Sequence, residues 1–204
     1  MNPFFSVVIP TYNHAHFIGR AIQSVLNQSY TNWEILVIDN NSIDNTEYVI
    51  NSFNDNRIKL LKINNYGIIA ASRNKGILNS KGDWVAFLDS DDLWYPQKLQ
   101  KIVENIEINQ DYHVFSVDEY MVYENSKKKK ELKYGPYKKD NYYKFLILNG
   151  NKLSPSATVV RKDILLKKNI LFNENKEFIT VEDYDFWLQI AYNGFKFKFI
   201  KTKT

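Results

Sequence analysis

The segment Phe87–Trp94, FLDSDDLW, sets three carboxylates, Asp89, Asp91 and Asp92, directly after the apolar run Trp84–Leu88. Like charges this close repel and raise one another's pKa unless something positive sits among them. In extended chain Asp89 and Asp91 are two apart and can point the same way. Paired carboxylates form a hard-oxygen site suited to Mg²⁺ or Mn²⁺. Magnesium is usually held by one or two carboxylates, with substrate phosphates and water completing its shell. The chemistry suggested is capture of a metal-bound diphosphate. The same residues also suit a solvated turn that caps the next helix, because Asp is favoured at turns and N-caps.

A second acidic cluster, TVEDYDFW over Thr180–Trp187, offers a general base for an attacking hydroxyl. It equally fits a capping box with Thr180 as N-cap and Asp183 as third residue, its acids complementing the helix dipole. Asp39 follows a strand, where a carboxylate either meets a ligand or bonds its own backbone. Arg73, in AASRNKG, lies within a helix, and a solvated face is its default setting. His14 and His16 form a loop pair without a third metal ligand. The run Lys127–Lys130 reads as a solvated tip, able to touch anionic lipid at about 1 kcal/mol per charge near a membrane surface.

Two alternating periods position these groups. Phe5–Ile9, Trp33–Ile38, Arg57–Ile63 and Asp83–Leu88 read as apolar strands; Ala15–Gln28, Asp44–Phe53 and Ile68–Leu78 read as the helices between them. Asp44 with Glu47 makes a capping pair for the second helix. Strands of this kind imply a doubly wound α/β fold with a parallel sheet covered on both faces. Ligands then collect beyond the carboxyl ends of the strands. The loops Pro10–Asn13, Asp39–Ser42 and Asp89–Asp92 should therefore face one crevice. Further on, Gln97–Ile108 and Asn141–Leu148 read as helices, Tyr112–Tyr123 as one long strand, and Asn125–Lys133 as a basic hairpin tip or loop. Ser156–Val160 is a strand candidate, a last helix from Glu182 to Asn193 stops at Gly194, and a final strand-like piece covers Phe195–Ile200.

Composition and missing motifs remove other classes. The 204 residues are 44% hydrophobic and 25% charged, enough for a sizeable core. There is no cysteine, which excludes thiol nucleophiles, zinc-thiolate sites and disulfides. A net charge of +4 is too mild to argue for nucleic acid. No apolar run approaches the roughly 18 residues of a membrane span, and MNPFFSVVIPTYN lacks a signal-peptide pattern. The expectation is a soluble, cytoplasmic chain without independent domains. No glycine fingerprint follows the first strand, and neither a P-loop nor a G-x-S-x-G elbow is present. Carboxylate chemistry is what remains.

FSVVIPTYNHAHFIGRAIQSVLNQSYTNWEILVIDNNSIDNT, followed by NNYGIIAASRNKGILNSKGDWVAFLDSDDLWYPQKL, strongly resembles family 2 glycosyltransferases of the GT-A fold, with a mostly parallel, mixed central sheet flanked by helices. The likeness runs from Phe4 to about Leu99 and resumes at Glu182–Trp187. It implies one glycosyltransferase domain over 1–204, with a nucleotide-sugar-binding half (1–100) and an acceptor-binding half (101–204). It further implies inverting transfer of a sugar from a nucleotide-sugar, often a UDP-sugar, to an acceptor hydroxyl. The setting implied is bacterial surface glycan synthesis (capsule, O-antigen or lipooligosaccharide) on a glycan or lipid-linked glycan, with peripheral contact at the inner face of the cell membrane.

The resemblance also implies roles. Asp39 would contact the nucleobase beside Pro10, Thr11 and Tyr12, with Asn41 on the same loop and Arg73 near the nucleotide. Asp89-Ser90-Asp91 matches the D-x-D motif: Asp91 and Asp89 would hold Mn²⁺ or Mg²⁺, and Asp89 and Ser90 would face the donor. Asp183 matches the catalytic base, Glu182 being the secondary candidate. Asp92 is left to cap the helix after Pro96 or support the loop. Where many relatives carry Asp-Gly after the first loop carboxylate, Asn40-Asn41 stands here, and relatives commonly continue beyond Ile200 with a segment that closes over the diphosphate. The competing expectation is a relative of the same fold that binds nucleotide-sugars or scaffolds without catalysis.

Overall fold

A computed structural model describes residues 2–122, 129–135 and 141–201. Parallel β1 (Phe5–Thr11), β2 (Trp33–Asp39), β3 (Ile58–Lys62) and β4 (Trp84–Phe87) alternate with α1 (Ala15–Leu26), α2 (Thr46–Asn51) and α3 (Ile69–Asn79). Then come α4 (Lys98–Ile108), β5 (Val114–Val117), β6 (Glu119–Val122), β7 (Lys129–Leu132), α5 (Tyr142–Asn149), β8 (Thr158–Arg161), α6 (Lys162–Lys168), α7 (Glu182–Tyr192) and β9 (Phe197–Ile200). The main sheet has seven strands in the order β3-β2-β1-β4-β8-β5-β9, with β8 antiparallel to both β4 and β5. It is the expected mixed α/β sheet flanked by helices.

Alternate strand residues serve opposite faces, as a period of two requires. Phe5, Val7 and Ile9 join Ile35, Val37, Ala86 and α4 in one core; Val8 joins Leu36, Ile38, Val85, Phe87 and α7 in the other. The second core lets α3 lie very close to the sheet. A Cβ on Gly76 would sit 2.2 Å from Val8 Cγ1, so only glycine permits that approach.

Three local expectations are corrected. The long strand Tyr112–Tyr123 is two strands in different sheets: β5 enters the main sheet, and after Asp118 the chain turns out to pair β6 with β7. The basic hairpin is present as β6–β7, but residues 125–128, including Lys127 and Lys128, lie outside the described residues. Asp44 and Glu47 do not cap α2 reciprocally. Asp44 instead accepts from the backbone N–H groups of Ala15 and Thr46, each at 3.0 Å, tying the start of α1 to that of α2, while Glu47 pairs with Lys62. Likewise Thr180 has φ 78 and α7 is N-capped at Val181 without a side-chain bond, so Thr180 and Asp183 form no capping box. The sequence pattern also gave no sign of α6. No helix among the described residues is long and apolar enough to cross a membrane.

Candidate active site

Sheet register brings the acidic groups to one edge. Thr11 pairs with Asp39, and Val8 with Phe87, so Ser90 lies as far beyond β4 as Thr11 lies beyond Val8. Because β8 runs antiparallel to β4, its entry at Ser156 reaches the same edge, where Ser156 Oγ accepts the Asp89 N–H at 3.0 Å. A cleft of about 430 Å³ opens there, within the range of small-molecule sites, roughly 300–1,000 Å³. Pro10, Thr11 and Tyr12 line it from β1, Asn40 from β2, and Asp89, Ser90 and Asp91 from β4. The expectation that these three loops face one crevice is met.

Several predicted residues sit elsewhere around this cleft. Asp39 is fully buried behind it: Oδ1 takes both the N–H and the hydroxyl of Ser42, at 3.0 and 2.5 Å, and Oδ2 has no partner among the described residues. The Thr11 hydroxyl is likewise buried and unpartnered. Asn41 is exposed with φ 53 and stays off the lining, where Asn40 stands in its place. Asn40 Oδ1 accepts the Asn65 N–H, drawing the Asn65–Gly67 turn in as the opposite wall.

Arg73 is the largest departure from expectation. Rather than facing solvent from α3, it is 3% exposed and bridges two carboxylates. Nη1 donates to Glu182 Oε1 at 2.8 Å and Nη2 to Asp89 Oδ1 at 3.0 Å. Gly76, one turn along the same helix face, sets α3 close enough to the sheet to bring the guanidinium between them. This is one positive group the crowded aspartates required. The adjacent Asn74 fixes the arrangement by exchanging hydrogen bonds with the backbone of Phe172, both at 2.8 Å.

The two acids opening α7 are thereby separated. Glu182 is buried in the Arg73 pair. Asp183 is only partly buried, takes the Asn151 side-chain amide at 2.9 Å, and is held above the usual aspartate range. Burial is the main cause; hydrogen bonds from the Tyr184 N–H and Asn151 oppose it, Glu182 adds to it, and Arg73 opposes it.

One short segment touches three separate acidic stretches of this edge. Asn151 meets Asp183, Ser154 Oγ donates to Glu119 at 3.1 Å, and Ser156 holds the Asp89 loop. Asp92 does not cap α4, whose N-cap is Gln97 without a side-chain bond. It stays in its loop instead, beside Ser156, whose hydroxyl acts to lower its pKa. Although exposed, Asp92 has its carboxyl pushed up to about 6, by surrounding protein first, with Asp89, Glu119 and Asp91 adding to the rise and Ser156 opposing it. Beneath it Lys98 is buried and brought down to about 7 by that burial, with Glu119 and Asp92 acting to keep its proton.

Sequence reasoning missed Asn151, Ser156 and Lys98, which carried no motif. It also set His14 aside. His14 lines the cleft, and its Nδ1 lies 2.6 Å from Ser90 Oγ. Lys129, at the described edge of the basic run, lies over the Tyr95 ring, 5.7 Å from its centre.

Among the described residues no three His, Asp or Glu side chains converge on a metal position. The donor set nevertheless fits Mg²⁺ or Mn²⁺ held partly by a ligand. Asp91 is exposed and its carboxylate makes no hydrogen bond with the described residues, while Asp89 keeps Oδ2 beside the Arg73 contact on Oδ1. Two such carboxylates with phosphate oxygens are an ordinary magnesium shell.

The sequence matches the profile of Glycosyl transferase family 2 over residues 6–167. The chain belongs to that family. It is 35% identical over 186 residues to the Escherichia coli UDP-Glc:alpha-D-GlcNAc-diphosphoundecaprenol beta-1,3-glucosyltransferase WfgD, covering 91% of this chain and 68% of that protein. Its fold is similar to that of Staphylococcus aureus TarS 1-349, with TM-score 0.81 and 24% identity over 98% of this chain and 59% of the TarS chain; TarS 1-349 has also been solved with UDP. It is also similar to the Pyrobaculum calidifontis mannosyltransferase PcManGT, solved with GDP-Man and Mn²⁺, with TM-score 0.72 and 17% identity over 98% of this chain and 55% of that one. The GT-A glycosyltransferase fold is thus established, and this chain spans roughly three fifths of those solved chains.

Proposed function

We propose that this glycosyltransferase moves a sugar from a UDP-sugar to an acceptor hydroxyl by single displacement, with inversion at the anomeric carbon. The observation that carries this reading is the Arg73 bridge, which ties the Asp89–Asp92 loop to the start of α7 and so joins a diphosphate site to a carboxylate base. In the donor half, residues 1–100, Pro10, Thr11 and Tyr12 line the cleft where the nucleobase would lie, and the buried, unpartnered Asp39 Oδ2 stands behind them as the carboxylate the base would approach. Asp91 and Asp89 would hold Mg²⁺ or Mn²⁺, which when bound neutralises charge on the diphosphate. Ser90, steadied by His14, faces the same cleft.

Asp183 is the base. It takes the acceptor hydroxyl's proton as that oxygen bonds to the anomeric carbon, and the carbon–phosphate oxygen bond breaks to release the nucleotide diphosphate. A carboxylate raised by burial is a better proton acceptor than an ordinary aspartate. Glu182 is committed to Arg73 and orients that guanidinium. The acceptor proposed is a lipid-linked glycan of bacterial surface polysaccharide synthesis, met by residues 101–204 at the inner face of the cell membrane. The support is the lipid-linked acceptor in the name of WfgD.

The test is thermal stabilisation by UDP with Mn²⁺. At 100 times the dissociation constant a ligand adds about 2.7 kcal/mol of stability. The wild type should melt higher with UDP and Mn²⁺ together than with either alone, and Asp91→Ala should remove the metal-dependent part. No Mn²⁺-dependent response to UDP or any other common donor nucleotide overturns the reading.

A further inference from the structure

Lys98 is in a costly place. It is 6% exposed, and it is the first residue of α4, where the positive end of the helix dipole disfavours a cation. A buried ammonium persists only when it is hydrogen-bonded and balanced by opposite charge. Its Nζ donates to the Ser156 carbonyl oxygen, which also accepts the Trp94 Nε1–H at 2.9 Å, and it lies 3.9 Å from the centre of the Trp94 ring. Asp92 and Glu119 supply the opposite charge.

The other side of Ser156 faces the acidic loop. Its hydroxyl oxygen accepts the Asp89 N–H at 3.0 Å, and the Asp92 carboxyl lies close enough to Ser156 for the hydroxyl to favour its ionised form. Ser156 therefore holds the loop at Asp89, two residues before Asp91, while its own backbone is gripped by Lys98 and Trp94. Asp91, which has no hydrogen bond of its own with the described residues, depends on that grip for its direction.

We propose that Lys98 is a positioning residue of the donor site: its ammonium fixes Ser156, and Ser156 clamps the Asp89–Asp92 loop so that Asp91 meets the metal-bound diphosphate. The inference rests on the reading of Asp91 as a metal-holding residue. It makes a prediction opposite to simple electrostatics. Removing a nearby positive charge should tighten cation binding, whereas loosening a clamp should weaken it.

The experiment is a Mn²⁺ titration of UDP binding to the full chain by calorimetry, for wild type, Lys98→Met, Ser156→Ala and the double variant. Lys98→Met is expected to weaken the apparent Mn²⁺ affinity about tenfold, or 1.4 kcal/mol. Ser156→Ala should do the same, and the double variant should be no weaker than the weaker single, because groups acting through one contact are not additive. Unchanged or tighter Mn²⁺ binding by folded Lys98→Met, or additive losses, overturns the inference while leaving the donor site intact. Should Lys98→Met fail to fold, Ser156→Ala decides alone, and unchanged Mn²⁺ affinity there overturns the clamp. A wild type without Mn²⁺-dependent UDP binding removes the functional reading, and this inference falls with it.

Discussion

Arg73 and Glu182 meet at 2.8 Å across 109 residues of sequence, and the same guanidinium reaches Asp89 at 3.0 Å. One side chain thus joins two acidic segments far apart in the sequence. Both members of the Arg73–Glu182 pair are almost fully buried, so its strength depends on neither being left alone.

Replacing Arg73 by methionine keeps the volume and strands the Glu182 carboxylate. Breaking a buried pair this way costs about 3–5 kcal/mol. Urea unfolding should give a loss of that size. Arg73→Lys should recover little, since a single ammonium cannot span Glu182 and Asp89 as the planar fork does. Full stability in Arg73→Lys would show that charge alone, not the bridge, matters.

The neighbouring acids should separate in their effects. Asp183→Asn is expected to lower kcat by about 10²–10⁴-fold, the usual cost of losing a general base. It should not lower stability. Burial raises the Asp183 pKa, so its contribution to folding is fullest below the ordinary aspartate value and declines as pH rises through the raised one. A neutral side chain avoids that decline, and the melting temperature near neutral pH should stay equal or rise. Glu182→Gln should do the reverse, lowering the melting temperature by unpairing Arg73 while Asp183 stays in place. Steady-state kinetics and melting of the two variants check the pattern, and equal kinetic losses in both would assign the base wrongly.

Asn151 gives a pH-dependent test. Its amide donates to Asp183 Oδ2 at 2.9 Å and so favours the ionised carboxylate. Without it the pKa of Asp183 rises further. The acidic limb of kcat against pH, where activity falls as the base takes up a proton, should move to higher pH in Asn151→Ala. The plateau should change much less than the limb. A limb that stays in place would separate Asn151 from the base.

These residues also mark what was legible in the sequence. The order of strands and helices through Leu88 could be read because the strands are short, mostly apolar runs and the first helix keeps a clear apolar face of period near 3.6. The three loops facing the cleft follow from parallel order alone. The default solvated face failed for Arg73 because helix position says nothing about depth, and its burial depends on Gly76 and two carboxylates distant in sequence. The run Tyr112–Tyr123 is rich in strand-forming residues on both sides of Asp118-Glu119, and it is there that the chain leaves the main sheet and the run divides. Asn151, Ser156 and Lys98 had no signal, because each acts through a contact between elements brought together by the sheet.

Gly76 supplies the last prediction. Alanine is ordinarily favoured over glycine inside a helix by about 1 kcal/mol. Here the new methyl would lie 2.2 Å from Val8 Cγ1 and 2.7 Å from Cγ2, with Val8 Cβ at 3.0 Å, so no rotation of the fully buried valine relieves it. Overpacking of this kind costs about 1–3 kcal/mol, so Gly76→Ala should be net destabilising. The helix must then move off the sheet and carry Arg73 with it. Gly76→Ala should therefore lower both the melting temperature and the Mn²⁺-dependent response to UDP. Val8→Ala in the same chain makes room for the methyl and should restore part of both. If the double variant regains stability but no UDP response, the seating of α3 does not control Arg73.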